Sequence, residues 1–358
     1  MRHRAEPSAT QVTLGDVAGS AGVSQQTVSN VINAPHRVRE STRRLVEEAI
    51  DRLGYQPNRA AKALRAQASR MIGYRIERVH EESLAFIHDR LLHALADAGR
   101  EADHHLLLFP ADDVAGELAS CARLFRARGV DGFVLYGMDR DDPRPAALRA
   151  LGARFAALGR TGHDSEHCWV DVDNTAGVAA SVEHLITQGH QRIGFVGWHA
   201  GSLVGDWRAE GWRTALDRHG LWEQCHRFDV RALDTPDEGA RSGGRLLDLA
   251  SPPTAIVTAT DTLAVGVMQA ARSRGQTVGR DLALVGFDDT PSARVLGLSS
   301  VRQPIEEAGR LLIEMLLERL PGAPARQDTD APLGPVGHLL TPTLVARASS
   351  IMPVAHHR

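Results

Sequence analysis

Apolar residues near the start of the chain recur at helical spacing. Leu14, Val17, Ala18 and Ala21 mark one amphipathic helix. Thr13 with Asp16 three residues later opens it as a capping box does, with Asp in place of the usual Glu or Gln. Gly22 supplies a left-handed stop, Val23 turns inward, and Ser24 is suited to cap a second helix through Asn33, on which Val28, Val31 and Ile32 point inward. Beyond Arg37-Val38-Arg39, Ser41 leads into a third helix with Leu45, Val46, Ala49, Ile50 and Leu53 as its apolar positions and Gly54 as its stop. The pattern predicts a small all-α unit built on a helix-turn-helix. Its second helix leaves Gln25, Gln26, Ser29 and Asn30 facing out. Amides can bond adenine bidentately in a major groove, and short hydroxyls suit phosphate oxygens; the alternative for the same face is a solvated polar surface.

Tyr55-Gln56-Pro57-Asn58 is a turn, and Asn58 can cap a short segment, 59–66, that carries three cations, small alanines and Leu64 as its single large apolar residue. A helix this short is marginal alone, because isolated helices below about 12 residues rarely hold in water; it either folds on a target or is a linker. From Met71 the pattern changes to short apolar runs alternating with amphipathic helices. Strands are predicted at 71–76, 106–109, 132–136 and 154–158, with helices at 86–98 and 118–127. A second series has helices at 177–187, 208–219, 238–249 and 262–274, and strands at 193–197, 255–258 and 283–287. Alternation of this kind gives parallel sheets, and two series imply two doubly wound α/β subdomains. A helix at 306–320 would let the chain cross back between them. Ligands in such folds sit beyond the C-terminal strand ends, here in the cleft between the lobes. Residues 321–337, rich in Pro, Gly and Ala, look like a loop, and the tail from 351 has no heptad.

Charge divides the chain as the pattern does. The 358 residues carry a net charge of −3, but residues 1–70 hold 11 Lys and Arg against 6 Asp and Glu, a net of +5 that leaves −8 for the remainder. A positive patch on the helix-turn-helix unit fits a phosphate backbone. The three cysteines, Cys121, Cys168 and Cys225, have no metal-ligand spacing, and a reducing cytoplasm is their simplest home. No apolar run approaches the ~18 residues that span a bilayer, and the N-terminus lacks a signal core. Enzyme motifs are missing. The only lysine, Lys62, follows Ala61 and so cannot complete a phosphate loop, no strand leads into Gly-x-Gly-x-x-Gly, His80-Glu81-Glu82 lacks the second histidine of a zinc helix, and there is no Gly-x-Ser-x-Gly elbow. No catalytic residue, metal or cofactor is expected.

Val12-Thr13-Leu14, Asp16-Val17-Ala18, Ala21-Gly22-Val23-Ser24, Thr27-Val28-Ser29 and Val31-Ile32-Asn33 resemble the headpiece of the lactose/galactose repressor (LacI/GalR) family. Gly54-Tyr55-Gln56-Pro57-Asn58 with Ala60, Ala61 and Leu64 is similar to its hinge. Asp171-Val172-Asp173-Asn174, Gly177, His184-Leu185, Gly189-His190-Gln191-Arg192-Ile193, Arg208, Gly211, Asp261, Val285-Gly286-Phe287-Asp288-Asp289 and 344–349 are similar to its core, so the likeness runs along nearly the whole chain. It implies a headpiece (1–57), a hinge (58–70), a periplasmic-binding-protein-like core (71–347) and a tail (348–358). It further implies a homodimeric repressor on double-stranded, near-palindromic operator DNA. Gln25, Gln26 and Asn30 would read bases, and Thr13, Ser24, Thr27, Ser29 and Asn33 would bond phosphates. Ala61 and Leu64 of the paired hinges would enter the minor groove, Leu64 unstacking the central base step. Asn30 stands where many relatives carry Arg, so a guanine contact there is replaced by an adenine contact or lost. By the same resemblance Arg208 and Asp288 hold a small-molecule effector, a mono- or oligosaccharide that releases the operator, because a guanidinium fork and a carboxylate together satisfy a polyol. Thr260, where relatives often have Asn, and Asp261 stand beside them. Trp198 and Trp207 are either a stacking platform for a sugar ring or core packing, and His80 and Phe86 would line the opposite lip. Two readings compete within the same sequence: an activator or corepressor-dependent regulator of the family, and an exported sugar-binding protein, against which the headpiece and missing signal core argue.

Overall fold

A computed structural model describes residues 12–55, 68–76, 86–162, 165–199, 201–321 and 336–351. The chain forms two compact units, Met1–Ser69 and Arg70–Arg358. In the first, α1 (Leu14–Ala21), α2 (Gln25–Asn33) and α3 (Glu40–Leu53) enclose Val17, Ala18, Val28, Val31, Val46, Ala49 and Tyr55. The expected caps are present. Thr13 and Asp16 make a reciprocal capping box, Gly22 is left-handed at φ 65°, and the Ser24 side chain accepts from the Thr27 amide at 3.1 Å. Leu45, expected inward, is exposed, since Val46 and Ala49 already fill the narrow face that α3 turns to its neighbours. The hinge residues Ala61 and Leu64 lie outside the described residues, as do 322–335 within the expected loop and the tail beyond 351.

The second unit has two lobes, each a six-stranded sheet. Lobe 1 is built from β1 (Met71–Ile76), α4 (Phe86–Glu101), β2 (His105–Pro110), α5 (Val114–Arg126), β3 (Gly132–Leu135), α6 (Arg144–Leu151), β4 (Arg154–Leu158) and β5 (Trp169–Val172). Lobe 2 contains α7 (Asn174–Thr187), β6 (Ile193–Trp198), α8 (Leu203–Arg218), α9 (Trp222–Cys225), β7 (Asp229–Ala232), α10 (Pro236–Leu247), β8 (Ala255–Thr258), α11 (Asp261–Ser273), β9 (Ala283–Phe287), α12 (Pro291–Val295) and β10 (Ser299–Arg302). The chain then returns. α13 (Ile305–Leu317) packs Ile305, Ala308 and Leu312 into the lobe 1 core beside Ile72, Leu91 and Leu95, β11 (Gly337–Leu340) pairs parallel with β5, and β12 (Thr343–Val345) pairs antiparallel with β10. The strand orders are β11-β5-β4-β3-β1-β2 and β12-β10-β9-β8-β6-β7.

The backbone therefore passes between the lobes three times, at 172–174, 302–305 and 340–343. The crossing near 306 was expected; the other two depend on β5 and β11, whose short apolar runs are broken by Asp171 and His338, and on β12, which has three residues. The core also extends past 347: the Ser349 hydroxyl donates to the Leu284 carbonyl and accepts from the Ser299 amide, and Ser350 is buried against Ser299. The boundary expected at 347–348 falls inside the packed lobe. No helix among the described residues is long and apolar enough to cross a membrane.

Candidate functional site

Two surfaces carry candidate chemistry, one on each unit. On the first, α2 exposes Gln25 and Gln26 next to Ser24, while Thr27 and Asn30 are half-buried. The Gln26 amide donates to Asn30 Oδ1 at 3.1 Å, so these two side chains present their hydrogen-bonding edges as a pair. Ser24 and Thr27 hydroxyls are 2.9 Å apart, and Thr13 Oγ1 donates to Asp16 Oδ2 at 2.7 Å. Hydroxyls of Thr13 and Ser24 are thus already engaged in capping, close to backbone N–H groups at the starts of α1 and α2, where a helix favours an anion. Ser29 is not on this surface. It is 7% exposed, three residues before Ile32 and so on the inward shoulder of the helix, which removes it from the expected phosphate contacts. The backbone of Asn33 ends α2; its side chain lies outside the description.

On the second unit, the C-terminal ends of both sheets face a cavity of about 710 Å³ between the lobes. Arg208, one turn and a half into α8, is 3% exposed at its polar wall. Its Nε donates to Asn174 Oδ1 at 2.8 Å, its Nη1 donates to the Ala259 carbonyl, and the guanidinium lies 3.8 Å from the ring centre of Phe287 and 5.0 Å from that of Trp198. Two nitrogens are fixed by the protein and two aromatic rings lie close to the guanidinium; Nη2 has no hydrogen-bond partner among the described residues. Burial lowers the Arg208 pKa, and the nearby Asp288 and Asp234 carboxyls oppose that shift.

Asp288 follows β9 in an unusual backbone conformation, φ 109°, and its Oδ1 accepts from Gln303 Nε2 at 2.6 Å. Burial pushes its pKa up to about 8 despite the attraction of Arg208, with Asp261 and Asp234 reinforcing the rise. Burial thus favours the protonated carboxyl, which can donate as well as accept. Asp234, just after β7, is raised mainly by burial and accepts from Thr260 Oγ1. Wall groups alternating donor and acceptor character suit a ligand rich in hydroxyls.

Among the expected effector residues, Arg208, Asp288, Thr260 and Trp198 line this cavity. Three do not. Asp261 is buried at the start of α11, where its carboxylate accepts from Ser300 Oγ and the Thr290 amide and so anchors the segment after β9. The face of Trp207 is covered by the Arg160 guanidinium at 4.3 Å, and Arg160 is held by Asp171 at 2.9 Å. Phe86, at the first turn of α4, has Arg90 over its ring at 5.7 Å and is not part of the lining. His80 lies outside the described residues. Sequence reasoning missed Asn174, Asp234 and Gln303. Asn174 and Asp234 stand two residues past the ends of β5 and β7, strands whose apolar runs are broken by Asp171 and Arg231, and the position just beyond a strand's C-terminal end is the signal that finds such residues.

Comparison with known proteins gives the family of both units. Residues 13–58 match the family described as bacterial regulatory proteins, lacI family, and residues 182–350 match the periplasmic binding protein-like domain. The chain is 30% identical over 331 residues to the HTH-type transcriptional regulator CelR of Thermobifida fusca, covering 87% of this chain and 92% of the relative. It superposes on the transcriptional regulator CelR–cellobiose complex with a TM-score of 0.69 at 29% identity, over 95% of this chain and all of that one. On the lac repressor dimer bound to operator and the anti-inducer ONPF the TM-score is 0.79 at 26% identity, over 96% and 100%. With a helix-turn-helix headpiece, a two-lobed α/β core and a relative of this identity matched nearly end to end, the chain belongs to the LacI family of DNA-binding transcriptional regulators, which are not enzymes.

Proposed function

We propose that this regulator is a homodimeric repressor that a sugar-like effector, bound between the core lobes, releases from its operator. The observation that carries the reading is that Arg208 and Asp288 line the same polar wall, with Asn174 and Gln303 bonded to them. A buried guanidinium with one nitrogen left for a ligand, beside a carboxyl that can donate or accept, is arranged for a polyol. A relative of the same architecture has been solved with cellobiose, and another with operator DNA, which supports a saccharide effector and duplex DNA as the partners here. In this reading Gln25, Gln26 and Asn30 read bases, Thr13, Ser24, Thr27 and Asn33 reach phosphates, and Ala61 and Leu64 of the hinge open the minor groove. Effector binding closes the lobes around Arg208 and shifts the dimer so that paired hinges no longer meet, lowering operator affinity.

The test joins two measurements. A thermal-shift panel of mono- and disaccharides identifies sugars that bind the folded protein and raise its melting temperature. Those sugars are then added to the complex of protein with a duplex selected from a random pool. Release of the duplex at saturating sugar, lost in Asp288→Ala, is the expected result; tighter duplex binding on adding sugar makes the protein a corepressor-dependent regulator instead.

A further inference from the structure

The core unit begins at a residue whose backbone is held in an uncommon shape. Arg70, the last residue of the expected hinge and the first of the core unit, has φ 56°, in the left-handed region that an L-residue enters only at a cost. Its surroundings must offset that cost. Asp131, just before β3, does so directly: its Oδ2 accepts from the Arg70 N–H at 2.8 Å. The peptide on the other side is pinned as well. The His105 amide, at the start of β2, donates to the Arg70 carbonyl at 2.9 Å, and the Asp131 amide donates to the Met71 carbonyl at 2.8 Å. Buried His104 brings Nε2 to 3.9 Å from the same Asp131 oxygen, and the Arg70 guanidinium stands 3.4 Å from Asp103. The parallel strands β1, β2 and β3 have their C-terminal ends at the cleft, where Ile76, Leu108 and Tyr136 line the cavity. One set of paired strands therefore joins the cavity wall to the root of the hinge.

We propose that Asp131 is a positioning residue for operator binding: by holding Arg70 left-handed, it sets the direction in which the hinge leaves lobe 1. This inference rests on the operator reading above. Released from Asp131, Arg70 would spend most of its time at negative φ, because the left-handed form of an L-residue is less populated by roughly five- to thirtyfold. The chain before it would then take another course. Glycine populates both signs of φ about equally, so a glycine at this position has little need of the carboxylate. Asp131 itself contacts neither base nor phosphate in this scheme; it acts through the backbone of Arg70.

The full chain and its variants are titrated, at one salt concentration, with the duplex that the parent selects from a random pool. Asp131→Ala is expected to lose at least about fivefold in duplex affinity. Asp131→Asn keeps a carbonyl oxygen that accepts from the Arg70 N–H and should lose less than about twofold. Arg70→Gly removes a cation as well as the strain, so it serves as its own reference; added to it, Asp131→Ala should cost less than about twofold. A loss of equal size with and without Arg70→Gly overturns the proposal, since a carboxylate that only stabilises lobe 1 would cost the same in both. Duplex affinity equal to the parent's in folded Asp131→Ala overturns it too. Should Asp131→Ala fail to fold, Arg70→Pro, at an exposed position, fixes φ near about −65° and removes the donor; full duplex affinity there is the overturning result and a loss of at least about fivefold the supporting one. A parent that binds no duplex from the pool refutes the operator reading itself, and the anchor with it.

Discussion

At Asp288, burial opposes ionisation, Arg208 favours it, and Asp261 and Asp234 add to the opposition; the outcome is a pKa near 8 in the folded protein. An unfolded Asp titrates near 3.9. Between those values the folded chain holds a proton that the unfolded chain has lost, so this group makes stability fall as pH rises from about 4 to about 8, with no further change above. Asp288→Asn cannot ionise and can keep a hydrogen bond with Gln303, and Asn tolerates the positive φ. Its melting temperature relative to the parent should therefore climb between pH 5 and pH 8, by ~2–4 °C for each kcal/mol relieved. A gap that stays level across that range would show that Asp288 is already ionised in the folded state. The residue was legible through its family pattern, Phe287-Asp288-Asp289, but its protonation was not, because it depends on Asp234, 54 residues earlier in the chain. Ser29 failed for a related reason. Its polarity suggested an outward face, yet a small hydroxyl residue fits on the shoulder of the apolar stripe formed by Val28, Val31 and Ile32.

One contact between elements fixes the geometry on which Arg208 depends. A Cβ at Gly211 would stand 2.3 Å from the Thr175 carbonyl oxygen, so α7 and α8 approach closely only because that side chain is absent. Thr175 adjoins Asn174, the acceptor of Arg208 Nε, and Thr175 Oγ1 donates to the Trp207 carbonyl at 3.2 Å. Gly211→Ala should push α8 away from α7, destabilise the core by about 1–3 kcal/mol as overpacking does, and weaken saccharide binding beyond that loss by moving Arg208 off Asn174. Saccharide affinity equal to the parent's, measured well below the variant's melting temperature, would separate the helix contact from the site. Helical periodicity revealed α8 but started it at Arg208, whereas Ser202 caps it at Leu203. That first turn brings Leu203 to Asp139, a contact that no local pattern could disclose. The long helices and the apolar strands were readable; β5, β7, β10 and β11 carry Asp171, Arg231, Ser300 and His338 in their short runs, β12 has three residues, and all five are fixed by the strands that pair with them.

Across the whole molecule, DNA-reading and ligand-holding chemistry are assigned to separate units of opposite charge, net +5 in residues 1–70 and −8 beyond. Direct contact between effector and operator is not needed to couple them. Three backbone crossings join the lobes, so rotation of one lobe against the other moves the pieces near 172–174, 302–305 and 340–343 together, and Asn174 and Gln303 stand in two of those crossings as partners of Arg208 and Asp288. A ligand that draws these residues to itself biases the lobe arrangement. If that arrangement controls the grip on DNA, thermodynamic linkage makes the effect reciprocal: a sugar that weakens operator binding by a given factor must itself bind more weakly, by the same factor, to the operator-bound protein. Titrating the best-binding saccharide into protein alone and into protein saturated with its selected duplex, at one salt concentration, should give affinities differing by roughly 5–150-fold, the span of 1–3 kcal/mol usual for such coupling. The duplex titration with and without the saccharide should return that same ratio. A ratio of one in both directions, with both ligands bound, would mean that the cleft does not regulate the headpiece; matching ratios with the opposite sign would make the saccharide a corepressor.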